Sequence, residues 1–408
     1  MKDLLIGNLR LVKAINKLSI LTAIKKYEPI SRAQIAKSMK LSPATVSTLV
    51  GELIKDGYLI ETAKGTSSGG RRPIMLQFNH QARFIIGVEL ETESISVVIM
   101  DLMANMLVKK RAPIYPLAGE QKIIKRMISL IHEVIDHSDV AKKKIIGIGI
   151  AAVGVIDSSK GVVKYAANLG WKNVPLRSLI KKEFNIPVSV GNISNLCALG
   201  EHYFGAGQKV KNLVYLHIGL GIGAGIIFDG RIYEGSNGSA GEFGHTTISF
   251  NGPHCSCGSR GCLEALASEK AIVHKAIDSI SKGRKTLIKE LVDGNTEAIS
   301  AEVVTEAAKK GDALSLEIWN EMSEYIGIAI ANLVNMYNPE QVIIGGTVAH
   351  AGDLLFKPIR KIVKNRALPS PAKVVEIIPS QLGDKASIIG AIALILENKF
   401  KIARLSTI

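Results

Sequence analysis

Residues 241–264 read GEFGHTTISFNGPHCSCGSRGCLE. Cys255, Cys257 and Cys262 fall within eight residues, and His245 stands ten positions ahead of the first of them. Three thiolates and one imidazole supply the four donors of a closed tetrahedral Zn2+ site, the kind that braces a fold and leaves no open position for chemistry. Because no fourth cysteine lies nearby, a histidine must complete the set. By spacing alone His254 competes with His245 for that role. Gly252, Gly258 and Gly261 allow the 245–262 loop to close tightly. The chain's remaining cysteine, Cys197, sits in a predicted helix and reads as a small buried residue. Four cysteines are too few for a disulfide scaffold, so their clustering points to metal rather than to an oxidising compartment.

On both sides of this loop the texture is that of an α/β body. Strands are predicted at 84–90, 95–101, 106–111, 145–153, 187–190, 214–217, 223–228, 341–344 and 374–379. Helices are predicted at 120–138, from 194, across 267–336 with a basic break at 282–285, and at 386–397. Alternating strands and helices over about 330 residues predict two lobes with a cleft between them. We place the first lobe at 81–195 and the second at 196–385, with the last helix, about 386–400, returning to the first.

The first eighty residues have a different pattern. Leu9, Val12, Ile15, Leu18, Leu21 and Ile24 recur at intervals of three, which predicts an amphipathic helix over 8–26 ending at Pro29. Ser31 is placed to cap a second helix, 32–39, with Ala33, Ile35 and Ala36 as its small apolar face. Ser42 caps a third, 44–56, with Pro43 at its first position, Val46, Leu49, Val50 and Leu53 inward, and Gly57 as its stop. A long helix followed by two short ones across a tight turn is a helix-turn-helix. The strands 58–61 and 74–78 flank a Gly/Ser-rich loop ending in Arg71-Arg72-Pro73, which makes 61–79 a wing and linker. The leading residues of the third helix, Ser42, Pro43, Ala44, Thr45, Ser47 and Thr48, would face the major groove. Ser31 and Arg32 would meet the backbone, and Arg71 and Arg72 would reach a minor groove.

Charge agrees with this division. The 408 residues carry +15, and residues 1–80 hold 13 Lys and Arg against 5 Asp and Glu, a net of +8. Half the excess on a fifth of the chain points to a polyanion partner. No apolar run reaches the roughly 18 residues of a membrane span. The charged N-terminus lacks the pattern of a signal peptide, so we expect a cytoplasmic protein.

The motif Gly241-Glu242-Phe243-Gly244-His245, followed by Cys255-x-Cys257-Gly258-x-x-Gly261-Cys262-x-Glu264, resembles the ROK (repressor, open reading frame, kinase) family. The resemblance covers nearly the whole chain. The winged helix with Ser68-Gly69-Gly70-Arg71-Arg72-Pro73 is similar to the repressor branch, in particular the xylose-repressor type. It implies two actin-like (ribonuclease H-like) lobes closing on a sugar, with Asn168, Asn192, Glu242, His245 and Glu264 at the hydroxyls. It also implies that His245, not His254, binds Zn2+, one nitrogen on the metal and the other toward the sugar.

Where the kinases of this family carry the catalytic aspartate, directly after the asparagine matched by Asn192, this chain has Ile193. Their first phosphate motif corresponds to Glu89-Leu90-Glu91-Thr92. The second keeps Gly219, Gly221, Gly223 and Gly225 but has Leu220 for its threonine, and Gly345-Gly346 keeps the adenosine-side turn. A kinase needs a base and a phosphate cradle. Three lost polar functions therefore predict no enzyme, and the glycines are expected to survive for their backbone turns. The resulting expectation is a repressor of a carbohydrate operon, released from duplex operator DNA when a monosaccharide closes the cleft. Xylose is the first choice on the resemblance of the N-terminal domain, and an apolar Ile193 near a hexose's hydroxymethyl suits a pentose; glucose or another monosaccharide is the alternative. A homodimer, or a tetramer, fits palindromic half-sites. The competing readings are a regulator that still phosphorylates sugar and one controlled by a protein partner.

Overall fold

A computed structural model of the chain describes residues 9–64 and 72–399. Arg71 and the tip of the wing lie outside the described residues, as do the side chains of Leu9 and Ile15.

The N-terminal domain comprises α1 (Leu9–Tyr27), β1 (Ile30–Ser31), α2 (Arg32–Met39), α3 (Pro43–Lys55), β2 (Leu59–Lys64) and β3 (Ile74–Phe78). Ser31 closes a capping box with Gln34, and Ser42 caps α3 by accepting from the Thr45 amide at 3.1 Å. Val46, Leu49, Val50 and Leu53 of α3 pack with Ile35 of α2 and Leu59 and Leu76 of the hairpin. β2 and β3 pair antiparallel, and β1 adds to β3 through Ile30↔Leu76 and Ser31↔Met75. Two apolar assignments change. Along α1 the buried contacts are Ile20, Leu21 and Ile24, whereas Val12 is 48% exposed because the early turns run past the core. Ala33 is exposed, since α2 presents Ile35 and Ala36 to α3.

The first sheet of the body contains β4 (Phe84–Leu90), β5 (Ser94–Asp101) and β6 (Met106–Pro113). After α4 (Glu120–Asp136) comes β7 (Ile145–Ala152). A small antiparallel sheet follows, β8 (Val155–Asp157), β9 (Val162–Ala166) and β10 (Trp171–Val174). Then come α5 (Leu176–Phe184), β11 (Val188–Asn192) and α6 (Ile193–Phe204). The main sheet has the order β11-β7-β4-β5-β6, with β4, β7 and β11 parallel.

The second sheet repeats that arrangement. It is built from β12 (Leu213–Ile218), β13 (Ile222–Phe228) and β14 (Arg231–Ile232). The helices α7 (Leu263–Ala267), α8 (Glu269–Ser281), α9 (Leu287–Leu291), α10 (Ala301–Lys309) and α11 (Ala313–Tyr337) come next. β15 (Gln341–Gly345), α12 (Asp353–Arg366), α13 (Pro369–Val374), β16 (Glu376–Pro379) and α14 (Ala386–Lys399) complete it. Its order, β14-β13-β12-β15-β16, has β12, β15 and β16 parallel, so the two sheets share one topology. Two sheets of this order with helices on their faces form the actin-like α/β body.

Two helices join the lobes. α6 follows the first sheet yet packs on β12 and β13, while α14 follows the second sheet yet packs on β4, β7 and β11. They cross at Gly390, where a Cβ would drive into the Leu196 carbonyl oxygen. Beside the crossing, the fully buried Glu201 of α6 accepts from the Ser380 hydroxyl at 2.5 Å, the Leu382 amide at 2.9 Å and the Ala206 amide at 2.8 Å. A buried carboxylate with three donors is satisfied, and it ties α6 to the chain entering α14. Among the described residues, no helix is long and apolar enough to cross a membrane.

Candidate functional site

The winged helix presents a groove of about 530 Å3 between α2 and α3, lined by Arg32, Ala33, Ala36, Lys37, Leu41, Pro43 and Ser47. Ser42, Pro43, Ala44, Ser47 and Thr48 are exposed, Thr45 is half-buried, and Arg72 is exposed. Ser31 is 4% exposed and spent on capping, so its side chain does not face a ligand. Arg32 reaches Glu61 of the wing at 2.7 Å. Lys37, which sequence reasoning passed over, is exposed on the groove; its signal was a cation one turn after Ala33 on the same helix.

In the body the loop after β14 folds back on itself through the bridges Thr247↔Cys262 and His254↔Arg260. This brings one ligand atom each from His245, Cys255, Cys257 and Cys262 within 4.8 Å of one another. Cys255 Sγ lies 3.6 Å from His245 Nδ1, and Cys257 Sγ lies 3.7 Å from Cys262 Sγ. A tetrahedral ion bound about 2.3 Å from sulfur and about 2.0 Å from nitrogen sets edges of roughly 3.6–3.8 Å. The donor set therefore fits a metal ion of that size. Burial, with the Cys257 and Cys255 thiols beside it, pushes the Cys262 thiol up to about 12. The Ser259 backbone and the neighbouring thiols hold Cys257 below the ordinary thiol range. A cation is the partner that lets all three sulfurs deprotonate together. His254 takes no part, its Nε2 instead accepting from the Arg260 guanidinium. Cys197 is buried on α6, outside the cluster.

The cluster sits directly before α7, and Glu264 on the first turn of α7 accepts from the Ile222 amide at 3.0 Å. Glu242 precedes the short turn Phe243–His245. It is exposed as a whole residue, yet the protein around its carboxyl raises its pKa; His245 opposes that rise and Glu264 adds to it. The charges of His245 and Glu264 thus both act on Glu242. Asn192 caps α6, with Oδ1 accepting from Ser194 at 2.8 Å and Asn195 at 3.3 Å, while Nδ2 donates to the Gly154 carbonyl at 2.9 Å. Asn168 is exposed on the turn before β10.

Residues 85–398 match the model of the ROK family. The chain belongs to the ROK family. Residues 14–60 match a winged helix-turn-helix DNA-binding model. This ROK chain is 38% identical to the xylose repressor of Caldicellulosiruptor bescii, over 96% of this chain and 98% of that protein. Among solved structures it is similar to a ROK family transcriptional regulator described as a homolog of the E. coli MLC protein. That match has a TM-score of 0.84 at 29% identity, covering 97% of this chain and 98% of the other. A ROK family glucokinase from Streptomyces griseus, solved with glucose and AMPPNP, matches 76% of this chain and 98% of its own. Its TM-score is 0.69 at 29% identity. The body is thus one that regulators and kinases share, and the winged helix places this ROK chain among DNA-binding transcriptional regulators.

The kinase-related positions fit that placement. Ile193 is 8% exposed and packs into the core between α6, β12 and α14. Glu89 is held by the Ser387 hydroxyl at the start of α14. Burial, reinforced by Glu91, pushes its carboxyl up to about 7, against the Ser387 bond and Lys109 and Arg111. His217, at the end of β12, is held below its ordinary pKa by burial, with Glu91 and Asp384 opposing. The glycines of the second phosphate loop are retained for a different reason from the one expected. Gly219, Gly221, Gly223 and Gly225 all have ordinary φ values. A Cβ at Gly221 would lie 2.8 Å from Glu264 Oε2, and one at Gly223 would lie 2.6 Å from Ser194 Oγ. Those side-chain ends can shift, but a Cβ at Gly225 would lie 2.1 Å from the Ser194 backbone oxygen, so close packing on α6 keeps Gly225 small, whereas Gly346, with φ +88, does require its turn.

The raised Glu89 carboxyl gives a signed prediction. A carboxyl whose folded pKa exceeds its unfolded value stabilises the fold below the unfolded pKa, and that contribution is lost as pH rises through about 7. Glu89→Gln keeps a hydrogen-bonding partner for Ser387 and removes the titration. The variant should match the parent at pH 4.5 and exceed it by up to roughly 3 kcal/mol at pH 8. Unfolding curves at both pH values check this, and an equal difference at each would exclude it.

Proposed function

We propose that this ROK chain is a sugar-responsive transcriptional repressor that phosphorylates nothing. The observation that carries this reading is the pairing, in one chain, of a winged helix with a sugar-kinase body whose base position is a buried Ile193. Residues 1–80 bind operator DNA, and residues 81–408 sense the sugar. In the major groove Ser42, Pro43, Ala44, Thr45, Ser47 and Thr48 face base edges, while Lys37 and the wing arginines Arg71 and Arg72 meet phosphate or the minor groove. Arg32, already paired with Glu61, can reach a phosphate once that surface pair breaks.

The sugar hydroxyls meet Glu242, Glu264 and His245, with Asn168 and the free Nδ2 proton of Asn192 at the edge of the site. Zinc fills the His245, Cys255, Cys257 and Cys262 cluster and acts as a brace. With Nδ1 on the sulfur side, His245 is left with Nε2 for the sugar. Xylose is the inducer in this reading, supported by the similarity to a protein named xylose repressor. The protein works in the cytoplasm as a homodimer, its two winged helices spaced for a palindrome.

Sugar releases DNA by linkage: the closed cleft holds sugar better, and the open form holds operator better. The test uses a palindromic operator selected from random duplexes and titrated with D-xylose, D-glucose and other monosaccharides. D-Xylose is expected to weaken binding at least tenfold. An operator complex indifferent to every sugar would overturn the sensor, and sugar-dependent ATP consumption above background would overturn the absence of kinase activity.

A further inference from the structure

The winged helix is fastened to the body at two places, one on the first lobe and one on the helix that links the two lobes. One attachment is to the first lobe. Arg83, one residue before β4, donates to the Asp56 carbonyl at 3.0 Å and lies over the Tyr58 ring at 5.1 Å. His80 Nδ1 sits 2.6 Å from Asp101 Oδ2 at the end of β5. The other attachment is to α6. Lys25, near the end of α1, lies over the Phe204 ring at 5.3 Å, and Phe204 is the last residue of α6. Phe204 also belongs to the apolar cluster of α14 and β5 that takes in Tyr58 and Phe78 of the winged helix.

At its other end α6 begins on Asn192, beside the cleft, and along its length it packs on the second sheet. Twelve residues at 1.5 Å each make a rod of about 18 Å. Glu201 and the Gly390 crossing leave that rod little freedom to bend. A body held at one point by lobe 1 and at another by a helix that also packs on lobe 2 feels a rotation between the lobes at its second hold. A body held by lobe 1 alone would not.

We propose that Phe204, with Lys25 above it, is the positioning contact through which cleft closure turns the DNA-binding domain. Neither residue belongs to the proposed sugar or DNA contacts; both act by coupling the two sites. This inference rests on the reading of the chain as a sugar-responsive repressor.

The experiment measures three quantities on the full chain: D-xylose affinity, operator affinity without sugar, and the ratio of operator affinities with and without saturating D-xylose. Phe204→Ala should leave the first two within about threefold of the parent and bring the ratio close to one. Phe204→Leu, which keeps the apolar volume, should restore most of the ratio. Lys25→Met, at an exposed side chain, should lower the ratio without risk to folding and so stands in if Phe204→Ala is unstable. A parent that responds to D-xylose beside variants that respond equally would overturn the coupling contact and leave the repressor reading standing. A parent that ignores sugar would overturn both.

Discussion

If the cluster holds zinc as proposed, Cys262→Ala is expected to lose that metal and lower the melting temperature by about 10 °C, with sugar binding lost at the same time. Cys262 is fully buried, and its sulfur is 3.7 Å from Cys257. Its backbone pairs with Thr247, and Leu263 behind it donates to the Thr246 carbonyl at 3.0 Å. The cluster therefore holds the loop against the start of α7, where Glu264 begins its reach to Ile222. Without the ion, the buried thiols and His245 lose their shared partner and the loop gains freedom. A loss of roughly 3–5 kcal/mol, at about 2–4 °C per kcal/mol in a domain of this size, gives the stated shift. Metal content by mass spectrometry and a thermal melt check it. Cys197→Ala is the control, expected to keep one equivalent of zinc per chain. A Cys262→Ala protein that retains its metal and its melting temperature would remove the brace from the account.

Glu242→Ala should abolish the sugar response while leaving operator binding intact. A carboxylate that accepts hydrogen bonds from sugar hydroxyls contributes about 1.5–3 kcal/mol per bond, so two bonds correspond to a loss of at least 100-fold in affinity. The site offers other residues, but they are poorer probes. Glu264 also holds the Ile222 amide, and Asn192 also caps α6, so alanine at either position would damage the fold as well. Among the described residues the Glu242 carboxyl makes no structural hydrogen bond; its surroundings act on it through burial, His245 and Glu264. Calorimetry with D-xylose and a gel shift with operator separate the two activities. Wild-type sugar affinity in the variant would move the pocket elsewhere.

Much of the local structure was legible because its causes are local. Ser31, Ser42 and Pro43 announce two helix starts within a dozen residues, and the caps form at those positions. Elements whose signals conflict were missed. α12 contains Pro358 and reads as broken, yet its ring sits on a half-buried face between Phe356 and Ile359, which pack into the second lobe. The small sheet β8-β9-β10 escaped notice because its strands are three to five residues long and divided by polar turns. The strand predicted at 374–379 begins only at Glu376, because Pro369 starts a short helix that runs to Val374.

The cluster opened by His245 shows where the division lies. By itself the sequence determined that three sulfurs and an imidazole would meet, because ligands a few residues apart in a glycine-rich loop have little choice. It also determined that a winged helix would precede an α/β body, because capping and periodicity act over one or two turns. The tertiary structure decided which histidine stands at the sulfurs, by engaging His254 with Arg260 and bringing His245 to Cys255. It decided that Gly225 answers to packing on α6 rather than to a turn. It also decided that α6 and α14 exchange sheets, locked by Glu201 and Ser380 from positions 179 apart. Contacts of that kind depend on where distant segments arrive, and short-range pattern carries no information about arrival.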